Sequence, residues 1–159
     1  MGNSFRFQFG LTARVARFFY CQGCVAEIKH KFMMYGIECS KEHTVTPDEM
    51  LLLHQHKIPD SSNAKCLLAC VYRRVDWMND QGVFDLEKAN KMLEVEHADE
   101  THKIEHGKKL FEECKKVNDA SVSDGEKGCE RAAMLAECLI ENAPKFSMGW
   151  EFGEPWLWQ

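Results

Sequence analysis

The sequence lacks the features by which nucleic-acid-binding proteins and membrane proteins are recognised. Its 20 lysines and arginines are scattered along the chain and the formal net charge is -5, so it has no basic patch for phosphate backbones or anionic lipids. No apolar run approaches the roughly 20 residues that span a bilayer. Strand patterns are scarce, and no Asn-x-Ser/Thr acceptor for N-glycosylation is present. We therefore expect no nucleic-acid partner and no stable membrane insertion.

Sequence motifs of the common enzyme classes are missing as well. There is no Gly-x-Ser-x-Gly, no P-loop and no dinucleotide-binding fingerprint. His102 and His106 have the spacing of a zinc-binding pair on one helix face, but Lys103 stands where a metalloprotease motif has glutamate. We interpret this pair, and the pair His54 and His56, as solvated histidines. The sequence predicts a protein that is not an enzyme and that uses no cofactor and no metal.

Cysteine, by contrast, is abundant, since the chain has eight. Such a density is typical of a disulfide framework formed in an oxidising compartment and predicts a secreted, extracellular protein. The N-terminus supports secretion only in part, because arginines precede the short apolar run 18–26. We interpret residues 1–26 as a leader or a disordered segment, with an untrimmed or misassigned start as the alternative. Cys21 and Cys24 then belong to a discarded leader, or else form a redox pair or half of a zinc site.

Helical periodicity dominates the rest of the chain. Apolar residues recur at spacings of three and four over residues 27–142, which predicts an all-α fold. Pro47 suits the first turn of a helix, whereas Gly36 is expected to interrupt the first helix and Pro144 to end the last. The six predicted helices are about 27–35, 46–58, 61–79, 85–93, 99–117 and 124–142.

Six of the cysteines lie within this helical region, separated by 26, 3, 43, 14 and 8 residues. Helix geometry removes some of their fifteen possible pairings. Cys66 and Cys70 lie one turn apart on one helix face, so a bridge between them would constrain almost nothing. Cys129 and Cys138 point to opposite sides of the last predicted helix. The members of each of these pairs should therefore have separate partners. The six are Cys39, Cys66, Cys70, Cys114, Cys129 and Cys138.

The cysteine spacing carries a resemblance to a known family. Three residues between the second and third of the six and eight between the fifth and sixth closely resemble the six-cysteine insect odorant-binding proteins, which include pheromone-binding proteins and general odorant-binding proteins. The resemblance covers about residues 27–142. It implies a six-helix disulfide-stapled bundle that encloses an apolar ligand cavity. The bridges that it implies are Cys39 with Cys70, Cys66 with Cys129, and Cys114 with Cys138.

The resemblance also implies a function. Members of that family are carriers, so we expect a protein that binds small apolar volatiles such as odorants, plant volatiles or pheromone-like molecules. The expected location is extracellular, in sensillum lymph, with an odorant receptor as a further partner and a monomer or weak homodimer as the assembly. The alternative is a secreted disulfide-rich helical protein with a lipase-like or structural role. Ester turnover would indicate the lipase, and displacement of an apolar probe would indicate the carrier.

The ligand-binding residues are predicted from the family and from helix phase. Positions carried over from the family pocket are Phe32, Leu68, Phe111, Leu135 and Leu139. Tyr72 and Val75 share a stripe of the nearly all-apolar third helix with Leu68, and the Tyr72 hydroxyl suits an alcohol or carbonyl head group. Apolar phase adds Leu52, Leu53, Met78, Met92 and Met134. The methionines would make the wall of the pocket deformable, although ordinary core packing is the alternative for each residue.

The C-terminal tail, residues 144–159, differs from the predicted domain, residues 27–143, because seven large apolar residues crowd into it. Trp150 is the tail residue expected to touch the ligand. Some members of the family have a tail that enters the cavity in acid, so the resemblance implies acid-triggered release, driven by Glu151, Glu154 and the seven histidines. A permanent wall at every pH and a dimer contact through exposed aromatic residues are the alternatives.

Overall fold

A computed structural model describes the backbone of residues 24–146 and the side chains of residues 30–146. Within this range six α-helices and three short 3-10 turns are joined by loops, and the all-α prediction is confirmed. The 3-10 turns are Lys115–Asp119, Gly125–Lys127 and Ala143–Phe146. The helices are α1 (Cys24–Glu42), α2 (Pro47–His54), α3 (Ser62–Arg74), α4 (Leu86–Glu96), α5 (Thr101–Cys114) and α6 (Cys129–Asn142).

Side-chain caps explain where α2, α3 and α4 begin. Thr46 and Glu49 form a capping box, in which the Glu49 N–H donates to the Thr46 hydroxyl and the Thr46 N–H donates to the Glu49 carboxylate at 2.7 Å. Ser61 accepts from the Ala64 N–H at the start of α3. Asp85 caps α4 in the same way. These three starts agree with the prediction because a cap is a local signal that the sequence carries by itself.

Helix α1 corrects the prediction that Gly36 interrupts the first helix. It runs through Gly36 to Glu42, with Phe32 and Cys39 fully buried on the same stripe, one on each side of the glycine. A glycine inside a helix costs only about 1 kcal/mol, and packing on both sides outweighs that. The helix also begins at Cys24, so the predicted domain boundary at residue 27 falls inside it.

Helix α3 ends at Arg74, five residues before the predicted end. Asp76 has a positive φ of 61°, and the N–H groups of Trp77 and Met78 both donate to the Tyr72 carbonyl. Met78 then pairs with Phe84 in an isolated antiparallel bridge around a tight turn. The left-handed residue ends the helix and turns Trp77 into the interior, so Trp77 and Met78 do not lie on a face of the third helix as predicted.

The boundaries of the last two helices also differ from the prediction. Helix α6 begins at Cys129, because Gly128 adopts a left-handed φ of 67°. Asp124, the predicted first residue, instead accepts the Cys129 N–H at 2.6 Å and the Glu130 N–H at 3.1 Å. Helix α5 ends at Cys114 and continues as a 3-10 turn. Gly128 and the Asp124 carboxylate set the start of α6, and apolar periodicity does not reveal such local signals.

Three disulfides hold the helices together, and they are the pairs that the resemblance implies. Cys39–Cys70 joins α1 to α3, Cys66–Cys129 joins α3 to α6, and Cys114–Cys138 joins α5 to α6. Helix α3 is therefore clamped from two sides, and it packs along α6. In a loop-entropy description each bridge contributes about 3.5 to 4.3 kcal/mol. Within residues 24–146 no helix has an apolar stretch long enough to cross a bilayer.

A buried arginine on α6 forms hydrogen bonds to the loop before α4 and to the segment after α5. Arg131 on α6 is 8% exposed, and its guanidinium donates to the carbonyls of Val117 at 3.2 Å, Gly82 at 2.9 Å and Ala120 at 3.1 Å. These carbonyls belong to the turn before α4 and to the segment after α5. One side chain thus binds three backbone acceptors, of which the Val117 carbonyl also accepts the Ala120 N–H.

Candidate ligand-binding site

An aromatic cluster lies at the centre of the bundle. The indole of Trp77 is surrounded by Phe32 at 5.3 Å and Phe111 at 5.1 Å, both edge to face, and by Tyr72 stacked at 5.8 Å between ring centroids. Phe84 meets Phe111 edge to face at 6.1 Å. All five side chains are at most 5% exposed. Edge-to-face and offset stacking are the arrangements that aromatic rings prefer. We call these five residues the Trp77 cluster.

Different elements supply the rings of the Trp77 cluster. Phe32 comes from α1, Tyr72 from α3 and Phe111 from α5, while Trp77 and Phe84 stand on the two sides of the turn between α3 and α4. The Phe84 backbone is held by the side chain of Asn118, which accepts the Phe84 N–H and donates to the Phe84 carbonyl, both at 2.9 Å. The cluster is therefore fixed by the helices and by the loops that close one end of the bundle.

Most of the predicted ligand residues meet in this interior. The structure buries nine of them in one continuous core, and it packs two half-buried methionines, Met92 and Met134, against that core. The nine buried residues are Phe32, Leu53, Leu68, Tyr72, Val75, Met78, Phe111, Leu135 and Leu139.

Two predicted ligand residues are not brought to the core. Leu52 is 36% exposed on α2, whereas its neighbour Leu53 is 1% exposed. The eight residues of α2 present one narrow buried stripe, and only Leu53 falls on it. Trp150, with the rest of the tail from residue 147 onward, lies outside the described residues.

The sequence interpretation missed two members of the cluster, Trp77 and Phe84. Trp77 was expected within the third predicted helix, 61–79, whereas Phe84 lay outside the predicted helices. Both stand on the loop that returns from α3 to α4. The signal that could have found them is local, since two large aromatic residues flank the short Asn-Asp-Gln-Gly turn at 79–82. Paired apolar residues around such a turn are typical of a loop that folds onto a core.

Polar groups in the cluster are few. Burial raises the pKa of the Tyr72 phenol above its ordinary value, so the hydroxyl stays neutral at physiological pH. The Nε1 of Trp77 is buried, and no group in the described part of the chain accepts a hydrogen bond from it. The interior around Trp77 is thus apolar and uncharged, and the Trp77 N–H is a buried donor without an acceptor among the described residues.

A cleft of about 170 Å³ is lined by residues of α1, α3, α4 and the loop after α3, and one of them, Val75, belongs to the same core as the Trp77 cluster. Its apolar floor is made by Tyr35, Val75 and Met92, which pack on or within the core. Its rim carries charged side chains, among them Arg74, which is paired with Glu38 and Glu42 of α1. Pockets for drug-sized ligands usually span about 300–1,000 Å³, so this cleft suits a smaller molecule. The remaining rim residues are Lys31, Asp76 and Glu96.

The groups with potential metal ligands are of two kinds. Glu42, His43 and Cys70 hold possible ligand atoms within 4.8 Å of one another, but the Cys70 sulfur is bonded to Cys39 and is not a thiolate. The rings of His102 and His106 lie side by side on α5, tilted by 47° with centroids 3.9 Å apart. His102 is exposed and His106 is half-buried. The interpretation as solvated histidines therefore holds for His102 and only in part for His106.

Comparison with known proteins gives a consistent result. The sequence profile of the PBP/GOBP family matches residues 22–142. General odorant-binding protein 19d of Drosophila melanogaster is 26% identical over 104 residues, 65% of this chain and 66% of that protein, so the match spans just under two thirds of the relative. General odorant-binding protein 99a of the same fly is 25% identical over 117 residues, 74% of this chain and 78% of that protein.

A solved structure also matches. Odorant-binding protein dmelOBP28a from Drosophila melanogaster superposes with a TM-score of 0.62 over 78% of this chain and 98% of that chain. The two sequences are 19% identical in that comparison, so the likeness concerns the fold.

Proposed function

This chain belongs to the PBP/GOBP family, and we propose that it is an extracellular carrier that binds small apolar volatile molecules against the Trp77 cluster. The observation that supports this most is the burial of an uncharged aromatic interior inside a bundle clamped by three disulfides. Two relatives are named general odorant-binding proteins, so odorants are the first ligand class to test. Three bridges suit an oxidising extracellular fluid, of which sensillum lymph is one.

The free energy of such binding comes from apolar contact. Burying ten methylenes at about 0.8 kcal/mol each gives about 8 kcal/mol before entropy losses, which is the scale of a micromolar complex. The half-buried Met92 and Met134 border the core and can change rotamer at little cost, because methionine is unbranched. We expect the protein to accept several volatiles of similar size, and a monomer or weak homodimer suffices for this role.

The cleft beside Val75 and Met92 is the proposed route into the interior. Both residues belong to the predicted ligand set, and both line the cleft. Val75 lies two residues before Trp77 and belongs to the same buried core. The charged rim keeps the mouth of the cleft hydrated, while the floor favours apolar chains.

Acid-triggered release is a second part of the proposal. Glu151 and Glu154 of the tail lose charge in acid, and a neutral tail enters an apolar interior more cheaply. The test compares ligand affinity at pH 7.4 and pH 5 for the full chain and for a chain that ends at Phe146. The shorter chain keeps Phe146 because this side chain packs against the core. Equal loss of affinity in both chains would exclude the tail as the switch and would leave a fixed wall or a dimer contact.

Displacement of a fluorescent apolar probe tests the carrier function. We expect straight-chain alcohols and terpenes to displace the probe at micromolar concentration. Hydrolysis of nitrophenyl esters would instead support the lipase-like alternative. If the folded protein neither binds the probe nor hydrolyses esters, the carrier proposal is wrong and a structural role remains. A receptor partner can be tested afterwards, with the loaded protein.

A further inference from the structure

We infer that the indole N–H of Trp77 is the polar anchor of the ligand site and donates a hydrogen bond to a neutral oxygen of the bound molecule. This inference rests on the proposed carrier function and names the ligand class: apolar chains or rings that carry a carbonyl, ester or hydroxyl oxygen, in preference to plain hydrocarbons.

The first observation is the unpaired donor itself. Trp77 is 1% exposed, and across residues 30–146 no side chain or backbone oxygen accepts a hydrogen bond from Nε1. Buried indole N–H groups usually have an acceptor, because a buried donor without one loses the hydrogen bonds that it made in water. A ligand oxygen would replace the hydrogen bond to water that the indole N–H loses on folding.

The second observation is the position of this donor. Phe32, Tyr72 and Phe111 pack around the indole. The family resemblance implies Phe32 and Phe111 as ligand contacts, and helix phase adds Tyr72. The N–H thus lies inside the apolar wall of the proposed site. Water is largely excluded there, so a hydrogen bond discriminates strongly between ligands that have an acceptor and ligands that lack one.

The chemistry of the surroundings favours a neutral acceptor. A carboxylate would have to leave water for an interior of aromatic and aliphatic side chains, and one indole donor does not compensate for a buried charge. Carbonyl, ester and hydroxyl oxygens carry no such penalty. The Tyr72 hydroxyl is the other polar side-chain group of the cluster, so its removal is the matched control for Trp77.

The experiment uses a series of eight-carbon competitors: octane, 2-octanone, 1-octanol and octanoate. Their affinities are measured by probe displacement on the full chain, on Trp77→Phe and on Tyr72→Phe. Trp77→Phe keeps an aromatic ring and removes the donor. We expect it to lower the affinity for 2-octanone about 5- to 150-fold while the affinity for octane changes less than about twofold.

Three results would overturn the inference. The preference for 2-octanone over octane could survive in Trp77→Phe, it could be lost in Tyr72→Phe instead, or octanoate could be the tightest ligand of the wild type. If Trp77→Phe lost stability without a change in ligand preference, the indole N–H would be satisfied by the face of a neighbouring ring. If octane and the oxygenated ligands all failed to bind the wild type, the carrier function and this inference would fall together.

A second measurement covers the case in which Trp77→Phe does not fold. In the full chain with Trp150, Trp156 and Trp158 changed to phenylalanine, Trp77 is the single tryptophan. Its indole ¹H–¹⁵N resonance should move downfield when 2-octanone is added and should respond much less to octane. Equal responses to the two ligands would contradict the inference.

Discussion

Gly82 and Gly128 meet backbone to backbone where the turn before α4 crosses the start of α6. A Cβ placed on Gly128 would lie 2.7 Å from the Gly82 Cα and 3.0 Å from the Met78 sulfur, and a Cβ placed on Gly82 would lie 2.8 Å from the Gly128 Cα. Both glycines have positive φ. This contact brings the loop that carries Trp77 and Phe84 against the helix that carries Arg131.

The first prediction concerns this contact. Gly128→Ala should lower the free energy of unfolding by at least about 2 kcal/mol, because the methyl group meets backbone that cannot move away and the residue has a left-handed φ. Urea unfolding measures the change. Gly125→Ala is the matched control: Gly125 also has positive φ, but nothing lies within 4 Å of its Cβ position, so the loss should be about 1 kcal/mol. If both variants lost the same free energy of unfolding, the close contact between Gly82 and Gly128 would contribute nothing to stability.

The second prediction concerns Arg131. Arg131→Met keeps much of the side-chain volume but leaves the carbonyls of Gly82 and Ala120 without the guanidinium donor, whereas the Val117 carbonyl keeps the Ala120 N–H. We expect it to lower the free energy of unfolding by about 2 to 4 kcal/mol in urea unfolding at neutral pH. In Arg131→Lys the ammonium group can donate to only some of these carbonyls. Its free energy of unfolding should therefore lie between that of the methionine variant and that of the wild type. A methionine variant as stable as the wild type would contradict this view of the loops.

The sequence allowed some of these features to be predicted and others not. The starts of α2 and α3 follow from Thr46 and Ser61, because a cap acts over three residues. The end of α3 just before Asp76 could not be predicted in this way. Asp76 is not a glycine, and its positive φ depends on tertiary packing.

For the candidate site residues, too, the sequence does not reveal what tertiary packing decides. Adjacent Leu52 and Leu53 have equal hydropathy, and the phase of an eight-residue helix is poorly determined by its sequence, so the two could not be told apart. Trp77 was missed because its role depends on the loop that brings it inward. Phe32 and Phe111 were predicted from the family resemblance. Only the structure shows that both rings contact Trp77.

The third prediction separates acid unfolding from acid release. Hydrogen bonds from the Ser123 hydroxyl and then from the Ser123 backbone hold the pKa of Glu130 below its usual value of 4.5. The folded pKa lies below the unfolded one, so the charged carboxylate stabilises the fold above about pH 4.5, and this contribution is lost as the pH falls through the folded pKa.

Thermal unfolding followed from pH 7 to pH 2 measures this effect. Glu130→Gln should reduce the acid-induced fall in Tm below pH 4.5 and should leave the change between pH 7 and pH 5 as it is in the wild type. The proposed ligand release between pH 7 and pH 5 would therefore occur where this carboxylate is still ionised. If the effect of the Glu130→Gln substitution were centred above pH 5, the assignment would be contradicted.

The fourth prediction compares two leucines on α2. Leu53→Ala should lower the free energy of unfolding by about 2 to 5 kcal/mol, because the side chain is 1% exposed in the core. Leu51→Ala is the matched control and should change it by less than about 0.5 kcal/mol, since Leu51 is 56% exposed. Urea unfolding again gives both values. Similar losses at the two positions would mean that α2 does not pack through Leu53.

The measurement that tests the central claim most directly is isotope-filtered NMR on labelled protein saturated with unlabelled 1-octanol. The account predicts nuclear Overhauser effects from the methylene protons of the ligand to the rings of Phe32, Trp77 and Phe111, together with a shift of the Trp77 indole N–H. Contacts confined to exposed side chains such as Leu51, or no contacts at saturating ligand, would contradict it.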